Sequence, residues 1–419
     1  MVTLRQKRVG LKQYTKYKHT NINTNVQYDD IIKPNSVSTK VLQEWYRSFY
    51  LSRDEWIRNK TTVLASKTQN KNEPIIGSLD IPTPILQFIQ TKTLEQNTFV
   101  FNILDQTITV RLSQYSEKQL SNEYVEKCLE CIYTWIHFIQ PYRQTKCSKE
   151  LTISIYLTPF QKELPTQSNQ LIDRINVNTA FTYACEPKNK IELFREEEWM
   201  KVLFHETFHS FGIDFAHLLN ASKQISSQIQ SRFHLHNPPA VYEAYTEVCA
   251  EIMNILYVCL MSSNMITFDS KMFYTHLNTE LNYSFYQCVK VLDHSNTKYK
   301  ELSQTSSHKY KEKNNVHVFS YFLLKTMLMF SFDEFVHYIQ LNGGFCFECS
   351  KRSTADKLQH LYEIITSAAD NTVFIKEMQK QERILSKHQK QLCTKQLFKK
   401  ISNVCGKRRT LRMTSISVK

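Results

Sequence analysis

Apolar residues recur every third or fourth position along most of the chain and alternate at every second position only in short blocks between Phe99 and Arg195. The first helical pattern is Leu42, Trp45, Phe49 and Trp56, which predicts an amphipathic helix within Lys40–Lys60. Residues 61–85 lose that period and collect Pro74, Gly77, Pro82 and Pro84, so they read as a connection. Phe99/Phe101/Ile103 and Ile108/Val110/Leu112 then alternate on either side of Asp105-Gln106, the pattern of a β-hairpin. Ser116 and Gln119 have capping-box spacing and open a helix to about Gln140, striped by Leu120, Tyr124, Cys128, Cys131, Trp135 and Phe138 and stopped by Pro141. Strands follow at Leu151–Leu157, Ile175–Tyr183 and Lys190–Arg195.

Glu196–Phe215 returns to helical spacing. Glu196, Glu197 and Glu198 fall in its expected first turn, Phe204, Phe208 and Phe211 make its apolar face, and Gly212 stands where a C-terminal cap belongs. A polar stretch from Asn220 to His236 reads as a loop with at most a short helix. Asn237, followed by Pro238 and Pro239, predicts the start of a helix through AVYEAYTEVCAEIMNILYVCL. Phe273–Leu292, Val318–Met329, Asp333–Leu341 and Ala355–Ala368 are further helices, and Ser295–Asn315 is a polar loop. From Asn371 a basic helix fades into a tail. The order of elements predicts an α+β protein: a small mixed sheet packed on the Glu196–Phe215 helix, with a helical C-terminal lobe. The expected divisions are a basic arm over 1–30, a main domain over 31–370 (parts 31–115, 116–260 and 261–370), and a basic helix and tail over 371–419.

Charge changes this picture at the ends only. The net charge is +14, yet residues 1–20 carry six Lys/Arg and no acid, and residues 371–419 carry thirteen Lys/Arg against Glu377 and Glu382. The body is therefore near neutral. Basic arms of this kind attract nucleic acid or an acidic surface, or simply solvate the chain, and Lys407-Arg408-Arg409 fits either role. The first twenty residues lack the apolar run of a secretory signal, and the longest apolar runs, Ile252–Met261 and Val318–Phe332, fall short of the ~20 residues that span a bilayer. With eleven cysteines, an odd count, the expectation is an intracellular protein with reduced thiols and no membrane span, in cytoplasm, nucleus or virion. Cys128-x-x-Cys131 and Cys346-x-x-Cys349 each have the spacing of half a zinc site, but the first pair lies on an apolar stripe, where cysteine packs as a small hydrophobe.

The chemistry lies in His205-Glu206-x-x-His209. Four residues is about one helical turn, so both imidazoles project from one face and can share a metal ion, zinc by preference. Glu206 on the same helix can take a proton from water. Catalytic zinc takes a third protein ligand. The spacing H-E-x-x-H-x-x-G-x-x-H runs through Gly212 but ends on Phe215, which cannot ligate, with Asp214 one residue early and His217 two late. Glu243, Glu247 and Glu251 stand at i, i+4 and i+8 of the downstream helix, where carboxylates on a partly apolar face need a cation.

A sheet leading into an H-E-x-x-H helix is similar to the thermolysin-like zinc peptidases. The run Tyr242-Glu243-Ala244-Tyr245-Thr246-Glu247-Val248-Cys249-Ala250 resembles the N-E-G-x-A-E-x-x-A style of gluzincin third-ligand helices, departing at Tyr242 and Ala244. That resemblance implies a zincin-like fold and makes Glu243 the third ligand, with Glu247 supporting an imidazole, most plausibly His205. An E-x-x-A-[DE] register instead makes Glu247 the ligand and Glu251 its support, and both stay open. REEEWMKVLFHETFHSFGIDF followed by the EAYTE helix, within residues 176–257, resembles H-E-x-x-H metallopeptidase-like proteins of large nucleocytoplasmic DNA viruses. The expectation is a zinc metallopeptidase acting on viral or host polypeptides, with Glu206 as proton acceptor and Tyr245 or Tyr242 as oxyanion donor. Substrate would lie along an edge strand near Ile175–Tyr183. The alternative is a non-catalytic virion or packaging protein that keeps the scaffold and binds nucleic acid through its arms.

Overall fold

The computed structural model describes residues 30–68, 80–115, 119–167, 170–303, 317–348, 351–396 and 409–416. Residues 1–29 of the expected basic arm, the capping residue Ser116, most of the 295–315 loop, Cys349, Lys407 and Arg408 lie outside the described residues. The elements run α1 (Ser36–Asn59), β1 (Leu64–Thr68), α2 (Thr83–Lys92), β2 (Thr93–Ile103), β3 (Gln106–Tyr115), α3 (Asn122–Ile139), β4 (Glu150–Ile155), α4 (Arg174–Val177), β5 (Ala180–Thr182) and β6 (Lys188–Leu193). Helices follow: α5 (Trp199–Ser210), α6 (Leu219–Arg232), α7 (Val241–Ser263), α8 (Ser270–His294) and α9 (Tyr299–Ser303). A single π turn (Ser320–Leu324) then leads into α10 (Lys325–Phe330), α11 (Phe332–Leu341), α12 (Thr354–Asp370) and α13 (Thr372–Gln396). The protein is α+β, as its pattern predicts, with one mixed sheet.

The sheet order is β1-β2-β3-β4-β6-β5. β3, β4 and β6 are parallel neighbours, while β1, β2 and the short edge strand β5 are antiparallel to theirs. Alternation directs Ile108, Val110, Leu112, Ile153, Ile155, Ile191 and Leu193 into one large core shared with α1, α3, α5 and α7. The opposite face sends Tyr115, Tyr156 and Phe194 against α2 in a smaller cluster. The large core runs without a break from Ile32 to Met413 and so spans all three parts expected of the main domain. α7 is its axis: every residue from Glu243 to Leu260 is buried. α7 is long and apolar enough by composition to cross a membrane, and it lies 94% buried inside the protein over that window.

Several local expectations shift. The hairpin turns on Leu104-Asp105 rather than Asp105-Gln106, with Leu104 left-handed at φ 53° and Gln106 already paired to Ile103. Arg143 holds both Asp105 oxygens at 2.7 Å, which supplies the stability a weak turn pair lacks. Ser121, not Ser116, caps α3. Residues 61–85 contain β1 and open α2, which has Pro84 in its first turn. Ile175–Tyr183 is not one strand, because Asp173 caps the short α4 and only Ala180–Thr182 pairs. Residues 219–232 form a full helix, α6. α7 begins after Ala240, so Asn237, Pro238 and Pro239 precede it rather than cap it.

Cys128, Cys131, Cys249, Cys259 and Cys288 are buried free thiols, whereas Cys147 and Cys185 form a disulfide, contrary to reduced thiols throughout. The end of the loop before β4 and the β5–β6 turn bring their Cα atoms to 4.6 Å, within disulfide reach. Cys346 is also disulfide-bonded, so no four-cysteine site with Cys128 and Cys131 forms.

The start of α5 differs most. Glu198 is left-handed at φ 62° and the helix begins only at Trp199, so Glu196–Glu198 precede its first turn. The other end matches expectation. Gly212, at φ 63°, donates to the His209 carbonyl at 3.1 Å and Ile213 to the Phe208 carbonyl at 2.9 Å, the paired bonds of a Schellman stop. A Cβ on Gly212 would sit 2.9 Å from Cys147 Sγ. Gly212→Ala is therefore expected to destabilise the fold by about 1–3 kcal/mol through backbone strain and crowding, read as a lower urea midpoint; an unchanged midpoint would contradict this account of the cap.

Candidate metal centre

α5 leaves β6 through residues 194–198 and packs between the sheet and α7. His205 and His209, one turn apart on α5, face Glu243 in the first turn of α7. The Nε2 atoms of His205 and His209 are 3.1 Å apart, and Glu243 Oε2 lies 3.1 Å from the first and 3.4 Å from the second. All three residues are buried and form a group that could hold a metal ion.

The other nitrogen of each ring decides what these atoms can be. His205 Nδ1 lies 3.0 Å from Glu247 Oε2, and His209 Nδ1 lies 2.5 Å from Asp214 Oδ2. A carboxylate only accepts, so each Nδ1 carries the proton and donates it. Neutral imidazoles held this way turn their Nε2 lone pairs toward each other and toward a carboxylate oxygen. Three acceptors at hydrogen-bond distance repel unless positive charge lies between them. A tetrahedral metal with bonds of about 2.0–2.1 Å has ligand-to-ligand edges of about 3.3 Å, and the three measured edges fit that spacing. Carboxylates behind the imidazoles fix ring orientation and raise ligand basicity.

Without metal, protons take that place. Burial lowers the pKa of His205, but its bonds to Glu243 and Glu247 outweigh this and the net shift is upward. Burial likewise opposes His209, and Asp214 and Glu243 lift it well above the ordinary value. Burial would raise Glu243, and the two histidines instead hold it well below the usual carboxylate range. Glu247 is also held low against burial, chiefly by Lys201 and then by His205.

Glu206 projects from the same helix, half-buried, and makes no hydrogen bond to another described residue. Burial raises its pKa despite the nearby histidines. A carboxylate so placed can accept a proton from a water beside the three ligands.

The geometry separates the alternatives left by the sequence. Glu243 reaches the Nε2 atoms, and Glu247 stands behind His205. Glu251 is one turn further on, 2.8 Å from Lys325. Asp214 is no ligand but the partner of His209, delivered by the Gly212 turn, and also accepts from Thr246. His217 points away to Glu348 at 2.7 Å. Tyr245 is not an oxyanion donor: it is buried on the far side of α7 and donates to the Phe345 carbonyl at 3.0 Å. Tyr242 stays at the site, its ring 5.9 Å from that of His209.

Four residues escaped the sequence reading. Lys201 makes a buried ion pair with Glu247, one turn before His205, and its position at i−4 on the H-E-x-x-H helix was the available signal. Lys325, in an otherwise apolar run, pairs with Glu251 and lies 3.9 Å from Glu247. Asp214 was read only as a misplaced ligand. Tyr321 enters from the π turn with its ring 6.2 Å from that of His205, and the Glu243 and Glu206 carboxylates add to burial in raising its pKa. A single π turn often marks a functional position.

Comparison with protein-family models, with curated proteins and with solved structures returns no match. The meaning of the centre therefore rests on its own chemistry.

Two outcomes are expected. Asp214→Asn and Glu247→Gln each remove a carboxylate behind an imidazole and should weaken metal binding about 10–100-fold in a competition titration, whereas unchanged affinity would show that these bonds do not tune the ligands. The second concerns pH. Folded-state histidine values raised above about 6.5 stabilise the metal-free protein fully below that pH, and this stability is lost as pH rises through the raised values. Metal replaces those protons, so the rise in Tm on adding metal should grow as pH increases from about 6 upward; a pH-independent rise would contradict the assignment.

Proposed function

We propose that the protein is a zinc metallopeptidase with a zincin-like arrangement, in which His205, His209 and Glu243 hold the ion and Glu206 is the proton acceptor. The observation that carries the reading is the meeting of two imidazole lone pairs and one carboxylate beside a second carboxylate, Glu206, that makes no hydrogen bond to another described residue. Two nitrogens and one oxygen suit zinc, and three protein ligands leave a position for water. Zinc bound there supplies Lewis acidity, polarising a carbonyl and bringing the pKa of a water to about 7.

The rest is the work of the chain. Glu206 takes the proton from the attacking water and passes it to the leaving amine, a role its raised pKa suits. Tyr321 and Tyr242, whose rings lie 6.2 Å from that of His205 and 5.9 Å from that of His209, are the phenols that would donate to the oxygen that gains charge on the carbonyl. β5 is the edge of the sheet and borders α5, so an extended polypeptide can add to its outer side and pass the site. The substrate class is therefore polypeptide, viral or host if the origin that residues 176–257 resemble is the right one.

A scaffold that binds nucleic acid through basic arms is the alternative. It rests largely on residues 1–29 and 397–408, outside the described set, while Arg409 and Arg412 of the tail turn inward onto the Leu164 carbonyl and onto Glu197 and Glu198.

Glu206→Gln separates the readings. It should keep zinc affinity within a few-fold and lower hydrolysis of an unstructured protein substrate by about 10²–10⁴. Wild-type protein loaded with zinc that cleaves no faster than the variant would overturn the enzymatic reading.

A further inference from the structure

Residues 409–416 are not a loose tail. They pass along the loop before α4, with an antiparallel bridge between Thr410 and Glu163 and bonds from Leu164 N to the Arg409 carbonyl at 2.7 Å and from Leu411 N to the Lys162 carbonyl at 2.9 Å. Beyond that bridge no strand continues the pairing. Buried charged side chains take over the backbone instead. Met413 N and Thr414 N donate to Glu198 Oε1 at 2.7 and 2.6 Å, and Ser415 N donates to both Glu280 oxygens at 2.9 Å. Lys290 Nζ donates to the Thr410 carbonyl and Lys325 Nζ to the Met413 carbonyl. Leu411, Thr414, Ser415 and Ile416 are all buried.

Two of these buried groups depend on the segment. Every hydrogen bond of the Glu280 carboxylate to a described residue goes to Thr414 or Ser415, and the only hydrogen bond of the Lys290 ammonium among described residues is to Thr410. Removing the segment leaves the Glu280 carboxyl and the Lys290 amine without these hydrogen bonds, which is costly for groups buried in the fold. A third ties the segment to the metal centre. Lys325 bonds the Met413 carbonyl and Glu251 and lies 3.9 Å from Glu247, which accepts from His205 Nδ1.

We propose that residues 409–416 are a peptide docked in cis in a groove that binds its backbone, and that its seating holds the carboxylate behind His205 in place. The occupant is this chain's own segment, joined to α13 by residues 397–408. Recognition is through backbone N–H and C=O groups together with the Thr414 and Ser415 hydroxyls on Glu280 and Arg412 against Glu197 and Glu198, with Leu411 and Met413 filling apolar positions. Releasing the segment loosens Lys325 and Glu247 and weakens metal binding. The inference rests on the metal-binding reading of His205, His209 and Glu243.

The test uses the full chain with a specific protease site placed within residues 397–408 and cut after folding. Zinc affinity of the uncut protein comes first: absence of binding there defeats the metal reading, and docking is then judged alone by fluorescence anisotropy of a labelled 409–419 peptide on the cut protein. Saturable binding of that peptide, with none for a scrambled sequence, supports docking, and its absence overturns it. With zinc bound by the uncut chain, stripping the cleaved segment should weaken zinc affinity about 10–100-fold, and added 409–419 peptide should restore it. Equal affinity with and without the segment overturns the coupling. If the stripped chain unfolds, full-length Ser415→Pro, which removes both the backbone N–H and the hydroxyl that donate to Glu280, carries the same test: weakened zinc binding supports the proposal and unchanged binding overturns it.

Discussion

His205 and His209 each give an Nδ1–H to a buried carboxylate, and from these two hydrogen bonds the rest of the centre follows. They fix the tautomer, so both lone pairs point at the same small volume as Glu243. An arrangement of three acceptors is unstable by itself and has to be held by its surroundings or filled by a cation. The surroundings are built accordingly, with each carboxylate behind an imidazole anchored by a second element.

Asp214 is placed by the way α5 stops. Gly212 reverses the chain over the Cys147–Cys185 disulfide, and two residues later the carboxylate sits behind His209. Glu247 is placed by α7 and neutralised by Lys201 from α5, with Lys325 of α10 close by. Lys201, His205 and His209 are each four residues apart, so one face of one helix carries a counter-charge and two candidate ligands. The same helix is preceded by Glu198, whose carboxylate bonds Lys162 and the backbone of residues 413 and 414. Both ends of the metal helix are thus fastened by parts of the chain remote in sequence.

Local chemistry was legible where it depended on nearby residues. The α+β order, α1, α3, α7 and α8, the Gly212 stop and the His205-Glu206-x-x-His209 face all follow from spacing along a single element. Boundaries failed where tertiary bonds overrode local preference. Arg143 stabilises a turn with a left-handed Leu104, and Lys162 and residues 413–414 claim the glutamates that dipole arguments would give to the first turn of α5. Spacing alone could not choose between Glu243 and Glu247, because both lie on one face of α7; the choice depends on how α7 crosses α5. Tyr245 misled for a related reason: two residues from Glu243 on a helix is nearly the opposite side. The tail read as solvated from its charge, yet Arg412 meets Glu197 and Glu198 and the residues around it are buried.

The central claim is that Glu243 joins the two histidines around a single zinc ion while Glu247 stays behind His205. An anomalous-scattering map at the zinc edge, from crystals of the full chain grown with zinc, tests it most directly. The account predicts one strong peak within about 2.0–2.2 Å of His205 Nε2, His209 Nε2 and a Glu243 oxygen, with Glu247 bonded to Nδ1 of His205. A peak ligated by Glu247, or no peak between the histidines, would contradict it.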